Sequence, residues 1–235
     1  MTRICTICAR GGSKGVKNKN LRLLLGKPLI AHSICQAKSS ELFDVIAVSS
    51  DSDEILNVAK EYGVNYVIKR PSELATDTAA KIPVIQHCVR EVERQIMRKF
   101  DFIVDLDATS PLRTVEDIKN AVKKLEDDIE AQNLITAAPA RRSPYFNLVE
   151  EKSNGYVKLS KSLNESIVRR QDAPKSYDMN ASIYVWKRNS FFSTESVFTN
   201  QTILYEMPEE RSQDIDSELD FEIVQLLAKK RGKLV

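Results

Sequence analysis

Short apolar runs alternate with helix-like periods along most of this chain. The runs are bounded by polar residues, which is typical of strands buried in a parallel sheet. They lie at 3–9, 44–49, 65–68, 101–106, 134–138 and 181–186. Apolar residues recur with a helical period at 28–38, 53–62, 79–98, 115–130 and 217–230. The pattern therefore predicts an α/β fold with strands and helices in alternation.

This alternation favours an open, doubly wound, mostly parallel sheet with right-handed crossovers. Pro28 begins one helical period and Gly63 follows another, the asymmetry expected at helix ends. Ligands of such sheets bind beyond the carboxyl ends of the strands. We therefore expect four loops to meet at one cleft, namely 10–20, 49–53, 70–78 and 107–113.

The alternation of strand and helix patterns is interrupted between residues 140 and 180. Asn154-Gly155 separates two short alternating pieces, which is a hairpin signal. We interpret 140–180 as a β-rich excursion from the sheet, called the excursion below. Residues 1–235 are then one domain that contains it, a size that one large α/β core can fill.

A glycine-rich basic loop follows the first strand. Glycine lets backbone N–H groups close around an anion, and the cations add charge to match a polyphosphate. The loop has neither the P-loop nor the dinucleotide spacing, so it would hold phosphate in another way, and a solvated basic turn is the alternative. Its members are Arg10, Gly11, Gly12, Ser13, Lys14, Gly15, Lys17, Lys19 and Asn20.

Two further loops carry polar residues where strands end. Arg70 lies beside the expected cleft, whereas Asp77 and Thr78, like Thr76, suit either a ligand or the cap of the next helix. After the fourth strand, short polar side chains suit hydrogen bonds to a base or a sugar. A turn that ends in a helix cap would give the same sequence pattern. They belong to the segment Asp107-Ala108-Thr109-Ser110-Pro111-Leu112-Arg113.

The segment 214–220 is the most acidic in the chain. Asp214 and Asp216 are two residues apart, so on extended backbone they face the same way. Paired carboxylates offer hard oxygen ligands for Mg²⁺, which commonly completes its shell with substrate phosphates. Ser217 is a candidate cap of the last helix, and such a cap is compatible with metal binding by the two aspartates.

The pair Arg169-Arg170 suits either the binding of an anion or a position on a solvated surface.

Composition narrows the classes of partner. The net charge of +2 argues against a general nucleic-acid or membrane binder, and the basic N-terminal part has no aromatic residue to stack a base. No segment has the pattern of a signal peptide or a membrane span, so we expect a cytoplasmic protein with four free cysteines. Cys5 and Cys8 would point to opposite faces of a strand and could not share a metal.

Five segments, in order, resemble the CMP-sialic acid synthetases, or acylneuraminate cytidylyltransferases. The resemblance spans nearly the whole chain. Any one segment is weak evidence for the family, but five in the same order are strongly specific for it. They are Ala9-Arg10 with Ser13-Lys14-Gly15 and Lys19-Asn20-Leu21; Arg70-Pro71 with Glu73-Leu74-Ala75 and Asp77-Thr78; Thr109-Ser110-Pro111-Leu112-Arg113; Asn180 with Ile183-Tyr184; and Asp214-Ile215-Asp216 with Glu218-Leu219-Asp220.

The resemblance implies a Rossmann-like sheet of the nucleotide-diphospho-sugar transferase type and a homodimer whose excursions reach over the partner's site. It implies that CTP and a nonulosonic acid give a CMP-sugar and pyrophosphate with Mg²⁺. Lys14, Lys19, Asp214 and Asp216 would be catalytic, with both aspartates on the metal. The nucleotide would be bound by Arg10, Gly11, Gly12, Ser13, Asn20, Arg70, Asp77 and Thr78. The sugar would meet Asp107, Thr109, Ser110, Arg113, Phe146, Arg170 and Asn180.

Departures from the family pattern fall where the sugar should bind. Asp107-Ala108 replaces the usual Gln-Pro, Tyr177–Ser182 lacks the usual arginine, and Tyr145-Phe146 replaces a common lysine. A drier pocket favours a sugar with fewer hydroxyls. These variants look like the CMP-legionaminic acid synthetases, so legionaminic acid is the expected substrate. Pseudaminic acid, neuraminic acid and Kdo are alternatives, as is a non-catalytic nucleotide-binding module.

Overall fold

A seven-stranded sheet forms the centre of the molecule. In this computed structural model the described residues are 1–13, 15–76, 78–163 and 169–234. The strands are β1 (Arg3–Cys8), β2 (Leu23–Leu24), β3 (Lys27–Pro28), β4 (Val45–Ser50), β5 (Tyr66–Lys69), β6 (Phe102–Leu106), β7 (Asn133–Pro139), β8 (Val149–Glu151), β9 (Val157–Leu159), β10 (Tyr177–Lys187) and β11 (Thr202–Glu206). The helices are α1 (Leu29–Ser40), α2 (Asp53–Glu61), α3 (Lys81–Ile96), α4 (Val115–Asp127), α5 (Arg188–Ser193) and α6 (Glu218–Arg231).

The sheet is mostly parallel, as the sequence predicted. Its strand order is β11-β7-β10-β6-β1-β4-β5. Only β10 runs against its neighbours in this sheet, pairing antiparallel with both β6 and β7. The predicted strands and helices are confirmed, with bounds that shift by three residues or fewer except at the start of β10. The periodic pattern alone did not show β11, a short edge strand of half-buried residues.

Helices cover both faces of the sheet, which is the doubly wound arrangement. One core cluster joins Cys5 and Ile7 of β1 to α1, α2 and α4. The other joins Ile4 to α3 and α5. Cys5 therefore packs in the first cluster, while Cys8 packs against the second, so the two thiols point to opposite faces as predicted. All four cysteines are free thiols.

The excursion leaves the sheet after β7 and returns at β10. It carries the hairpin of β8 and β9, and Gly155 in its turn has φ +82, a left-handed conformation that glycine adopts without strain. This confirms the hairpin predicted at Asn154-Gly155. The predicted end at 180 is wrong, because Tyr177 already pairs with Pro139 in the main sheet. The excursion therefore spans 140–176.

A third cluster fixes α6 and the acidic segment to the rest of the molecule. Ile215 is fully buried there beside Val16 of the glycine-rich loop and Leu112. Ser217 caps α6 in a capping box with Asp220, as predicted. The predicted cap of α3 is wrong, since α3 begins after Ala80, which makes no side-chain cap bond.

Candidate active site

The carboxyl ends of β1 and β6 border a cavity of about 280 Å³. The glycine-rich loop forms one wall, the loop after β6 another, and the acidic segment a third. This is the edge where the topology predicted the ligand. The lining residues are Cys8, Ala9, Arg10, Ser13, Gly15, Lys19, Asn20, Asp107, Ala108, Thr109 and Asp216.

A smaller cavity of about 230 Å³ lies where β7 ends and β10 begins. Asp214 lines this cavity, whereas Asp216 lines the larger one, so the acidic segment borders both. The other lining residues are Ala138, Pro139, Arg141, Asp178, Met179, Asn180, Glu209, Ser212 and Gln213. The acidic segment therefore lies between the two cavities, with one aspartate on each.

Lys19 joins the glycine-rich loop to the acidic segment. Its ammonium donates to the Ile215 carbonyl and lies 3.3 Å from Asp216 Oδ1. Only 13% of its side chain is exposed, against 81% for Asp216. The loop approaches the segment so closely that a Cβ on Gly15 would lie 1.8 Å from the Asp216 carbonyl oxygen. Position 15 therefore requires glycine for this contact between the two walls.

Asn20 offers the larger cavity an acceptor that the fold leaves unused. Its amide nitrogen donates to the Arg10 carbonyl at 3.1 Å. Its Oδ1 is buried and has no hydrogen-bond partner among the described residues. A buried acceptor without a donor is costly, so this atom is suited to a ligand N–H or O–H.

Asp214 and Asp216 differ in environment. Burial, and then the charge of Asp107, raise the pKa of Asp214 above its usual value. Asp214 Oδ1 accepts from the Ile215 N–H at 2.9 Å and from Ser110 Oγ at 3.5 Å. The described residues contain no group of three acidic, histidine or cysteine side chains that could hold a metal by themselves. Two carboxylate oxygens beside a phosphate-sized cavity nevertheless fit Mg²⁺, which commonly takes its remaining ligands from substrate phosphate and water.

Lys81 is a residue beside the site that the sequence analysis did not predict. Its Nζ lies 2.7 Å from Asp107 Oδ2 and 3.3 Å from Asp105 Oδ2. Burial alone would raise the pKa of Asp107, but the Lys81 ammonium and bonds from Thr109 outweigh it and lower that pKa to about 2. Burial also raises the pKa of Tyr184, next to Lys81, to about 12. The only signal in the sequence for a cation at this point was that Asp105 and Asp107 are two residues apart, so that both carboxylates lie on one face of the chain.

Arg113, which the resemblance assigns to the sugar, is enclosed by the protein. It is fully buried, and its guanidinium donates to the carbonyls of Asp107 at 2.8 Å and Ser110 at 2.9 Å. It also donates to Ser182 O and Ser33 Oγ. Burial lowers the pKa of Arg113 to about 10. Its role is to hold the loop 107–110 in place.

Asn180 and Ser110 also make their hydrogen bonds within the protein, and Asn180 lines the smaller cavity. Asn180 Oδ1 accepts from Thr136 Oγ1 at 2.7 Å and from the Ser182 N–H at 3.2 Å, and its Nδ2 donates to Ser212 Oγ at 2.9 Å. Ser110 is fully buried and its hydroxyl donates to the Asn180 carbonyl. Their polar groups are engaged within the protein, so they position the walls of the smaller cavity.

The remaining predicted residues divide by location. Arg70 is buried beside the cleft, with Nη2 donating to the Ser49 carbonyl at 2.9 Å. The Gly11 N–H is taken by Asp51 Oδ1 at 2.9 Å, so it is not available to a phosphate. Gly12, Thr78 and Phe146 line neither cavity of this chain. The predictions for Lys14, Asp77 and the Arg170 side chain lie outside the described residues.

Comparison with known proteins agrees with this geometry. A family model described as cytidylyltransferase matches residues 4–231. The chain is 49% identical over 231 residues to "Post-translational flagellin modification protein B" of Campylobacter coli, covering 97% of this chain and 96% of that protein. It is 50% identical over 224 residues to the CMP-N,N'-diacetyllegionaminic acid synthase of Campylobacter jejuni, covering 95% and 94% respectively.

The fold also matches a solved structure. A CMP-2-keto-3-deoxy-manno-octonic acid synthetase has a TM-score of 0.69 at 15% identity, with 98% of this chain and 100% of that chain covered. At that identity the likeness concerns the fold alone. The family model spans nearly all of the chain, and both relatives align along almost their whole length. The chain therefore belongs to the cytidylyltransferase family.

Proposed function

We propose that this protein transfers a cytidylyl group from CTP to a nonulosonic acid, with release of pyrophosphate. The observation that carries the proposal is that the acidic segment borders two cavities, with Asp216 on the larger one and Asp214 on the smaller one. Arg10 and Lys19 line the larger cavity, which suits a triphosphate, and the smaller cavity would take the sugar. A transfer reaction needs two substrates that meet at one point, which this arrangement supplies.

The larger cavity would hold the nucleotide. Arg10, Lys19 and Ser13 line it and offer charge and a hydroxyl to phosphate oxygens. Lys14 belongs to the same proposed set on the resemblance. Asn20 Oδ1 would accept from a hydroxyl or amino group of the cytidine, and Arg70 would reach the nucleotide from beside the cleft.

The acidic segment would hold Mg²⁺ through Asp214 and Asp216. Bound there, the metal would offset negative charge on the phosphates as the transition state forms. The anomeric hydroxyl of the sugar would attack the α-phosphorus in line, and pyrophosphate would leave towards Arg10 and Lys19. A carboxylate of the segment would accept the hydroxyl proton, either Asp214 or Asp216. The same side chains therefore orient both reactants and receive the proton.

Legionaminic acid is the substrate we favour. The chain shares half of its residues with a protein named for the diacetyl form of that sugar. The smaller cavity has Asp178 and Met179 on its wall, and Asp107 lies on the larger cavity next to it.

Pyrophosphate release measured with CTP, Mg²⁺ and a panel of four acids tests this proposal. We expect a clear preference for legionaminic acid over pseudaminic acid, N-acetylneuraminic acid and Kdo. Preference for another acid of the panel would keep the reaction and overturn the sugar. Release with none of them would favour the alternative, a nucleotide-binding module without turnover.

A homodimer would complete the site. The hairpin of β8 and β9 is exposed on both strands, with Val157 63% and Tyr156 72% exposed. Two-stranded hairpins are marginal in water, and exposed apolar groups of this kind mark interfaces. Phe146, which is 40% exposed, and Arg170 would then reach the sugar of the partner subunit. Phe146 lines neither of these two cavities in its own chain, which supports a contact across the dimer.

Light scattering tests the dimer. We expect the protein to have twice the mass of one chain, and Val157→Glu to shift it towards the monomer because a buried charge opposes association. Turnover should fall with the loss of the dimer. Leu226→Glu on α6 is the matched control, since Leu226 is also exposed, at 55%. A monomeric protein with full turnover would contradict the proposal.

The protein would work in the cytoplasm. Its four free thiols suit a reducing compartment. Among the helices that the structure describes, none is long and apolar enough to cross a membrane. We expect no nucleic-acid or membrane partner, since the basic residues gather at the proposed triphosphate cavity.

A further inference from the structure

Lys81 is the first residue of α3, a position that disfavours a lysine. The amino end of a helix carries partial positive charge, which favours acidic side chains there and opposes a cation. The preceding Ala80 supplies no side-chain cap. Such a local conflict is expected where a residue serves a functional site, so the partners of Lys81 are informative.

Three groups surround the ammonium. Asp107 Oδ2 lies 2.7 Å from Nζ and Asp105 Oδ2 lies 3.3 Å from it. The centroid of the Tyr184 ring is 4.6 Å away. The Lys81 side chain is 28% exposed and that of Asp105 is 1% exposed. An ammonium has three donors, so these three partners are enough to engage it and to fix its place.

Asp107 is the only one of these partners that lines the larger cavity. Its Oδ1 accepts from the Thr109 N–H at 3.1 Å and from Thr109 Oγ1 at 2.9 Å. Its Oδ2 accepts from Lys81, and the contacts between described residues leave a second lone pair of Oδ2 without a donor. Asp107 is ionised, so it can accept a hydrogen bond but cannot donate one.

The ligand group at Asp107 must therefore be a donor. Phosphate oxygens are acceptors and carry negative charge, so a carboxylate repels them. The cytidine offers hydroxyl and amino donors, and the sugar offers O–H and N–H donors, so the position of Asp107 in the site decides between them. Thr109 donates to Asp107 through its side chain, and its carbonyl accepts from the Ile215 N–H at 3.1 Å, next to Asp214 of the smaller cavity. Asp107 therefore lies on the larger cavity where the loop after β6 meets the acidic segment, close to the cavity that we assign to the sugar.

Resting on the proposed function, we propose that Lys81 is a positioning residue for the sugar. It holds Asp107 in one orientation and offsets its charge, so that this corner of the site takes an O–H or N–H donor of the sugar. Lys81 acts through Asp107 and touches neither substrate. Without it, the charges of Asp107 and of the buried Asp105 would be uncompensated beside a site that must admit a triphosphate and a sugar acid.

Steady-state kinetics of Lys81→Met and Lys81→Arg test the proposal. We expect Lys81→Met to raise KM for the sugar acid about 10- to 100-fold, the loss of a hydrogen bond to a charged group, with KM for CTP within about twofold. Lys81→Arg should restore most of the sugar affinity because it keeps the cation. Equal increases in both KM values, or no increase, would overturn the proposal.

A second variant covers the case in which Lys81→Met does not fold. Asp107→Asn should raise the sugar KM by a similar factor, and adding Lys81→Met to it should add less than about twofold, since Lys81 acts through Asp107. An unchanged sugar KM in Asp107→Asn overturns the proposal. Lys123→Met is the matched control, because Lys123 pairs with Asp127 at 3.1 Å on the surface of α4. Absence of turnover in the unmodified protein overturns the proposed function and this inference together.

Discussion

Replacing Lys19 with methionine is expected to lower kcat/KM for CTP by about 10²–10³, the usual effect of losing one contact to transition-state charge. Lys19 is mostly buried and lies between the glycine-rich loop and the acidic segment. In the proposed reaction its ammonium would stabilise the negative charge that develops on the leaving phosphates. Methionine keeps most of the side-chain volume and removes the charge. Pyrophosphate release against CTP concentration gives the measurement.

The control for Lys19 is a lysine with the same charge outside the cavity. Lys27 is exposed on β3, and Lys27→Met changes the net charge equally. We expect it to change kcat/KM by less than about twofold, since exposed charges are screened by salt. Similar losses of kcat/KM in both variants would show that the overall positive charge of the N-terminal part matters. Lys19 would then have no specific role in the site.

Replacing Asp214 or Asp216 with asparagine should each lower kcat by about 10²–10³, again the scale of one electrostatic contact in a transition state. Asparagine keeps the shape but offers a neutral oxygen, which is a weaker ligand for Mg²⁺. We expect the Mg²⁺ concentration for half-maximal rate to rise in both variants if both carboxylates hold the metal. Titration of the rate with Mg²⁺ at saturating CTP measures this.

The same titration distinguishes a metal ligand from a proton acceptor. A variant whose kcat falls while its Mg²⁺ requirement stays the same has lost the proton acceptor. Full activity in either variant would remove that aspartate from the mechanism. Glu222→Gln is the control, because Glu222 is an exposed carboxylate on α6. It should leave both the rate and the Mg²⁺ requirement unchanged.

Local sequence predicted the elements because each signal acts over a few residues. Buried parallel strands read as apolar runs, and Ser217 caps α6 through a bond to the Asp220 N–H three residues on. The loops of the site were likewise predictable, since the carboxyl ends of parallel strands share one edge. The strand β11 was missed because a short, half-buried edge strand gives no strong period.

The contacts that a side chain makes with distant parts of the chain could not be predicted from the motifs. The resemblance assigned Arg113 to the sugar, and the structure shows it enclosed and donating to backbone oxygens from β10 and the loop after β6. Asn180 looked like a sugar contact, yet its amide is engaged by Thr136 and Ser212. A side chain's role as ligand or support depends on which partners the fold brings to it, and short motifs do not encode those partners.

The sequence by itself determined the α/β class, the loops that carry the candidate site residues and the family. These follow from periodicity and from short segments whose residues act on their neighbours. Only the tertiary structure decided that Lys81 joins Asp105 and Asp107, and that the acidic segment borders two cavities. Lys81 is 26 residues from Asp107 in the chain and 2.7 Å from it in space. Charges interact through space rather than along the chain, so the pairing of charges is a property of the folded molecule.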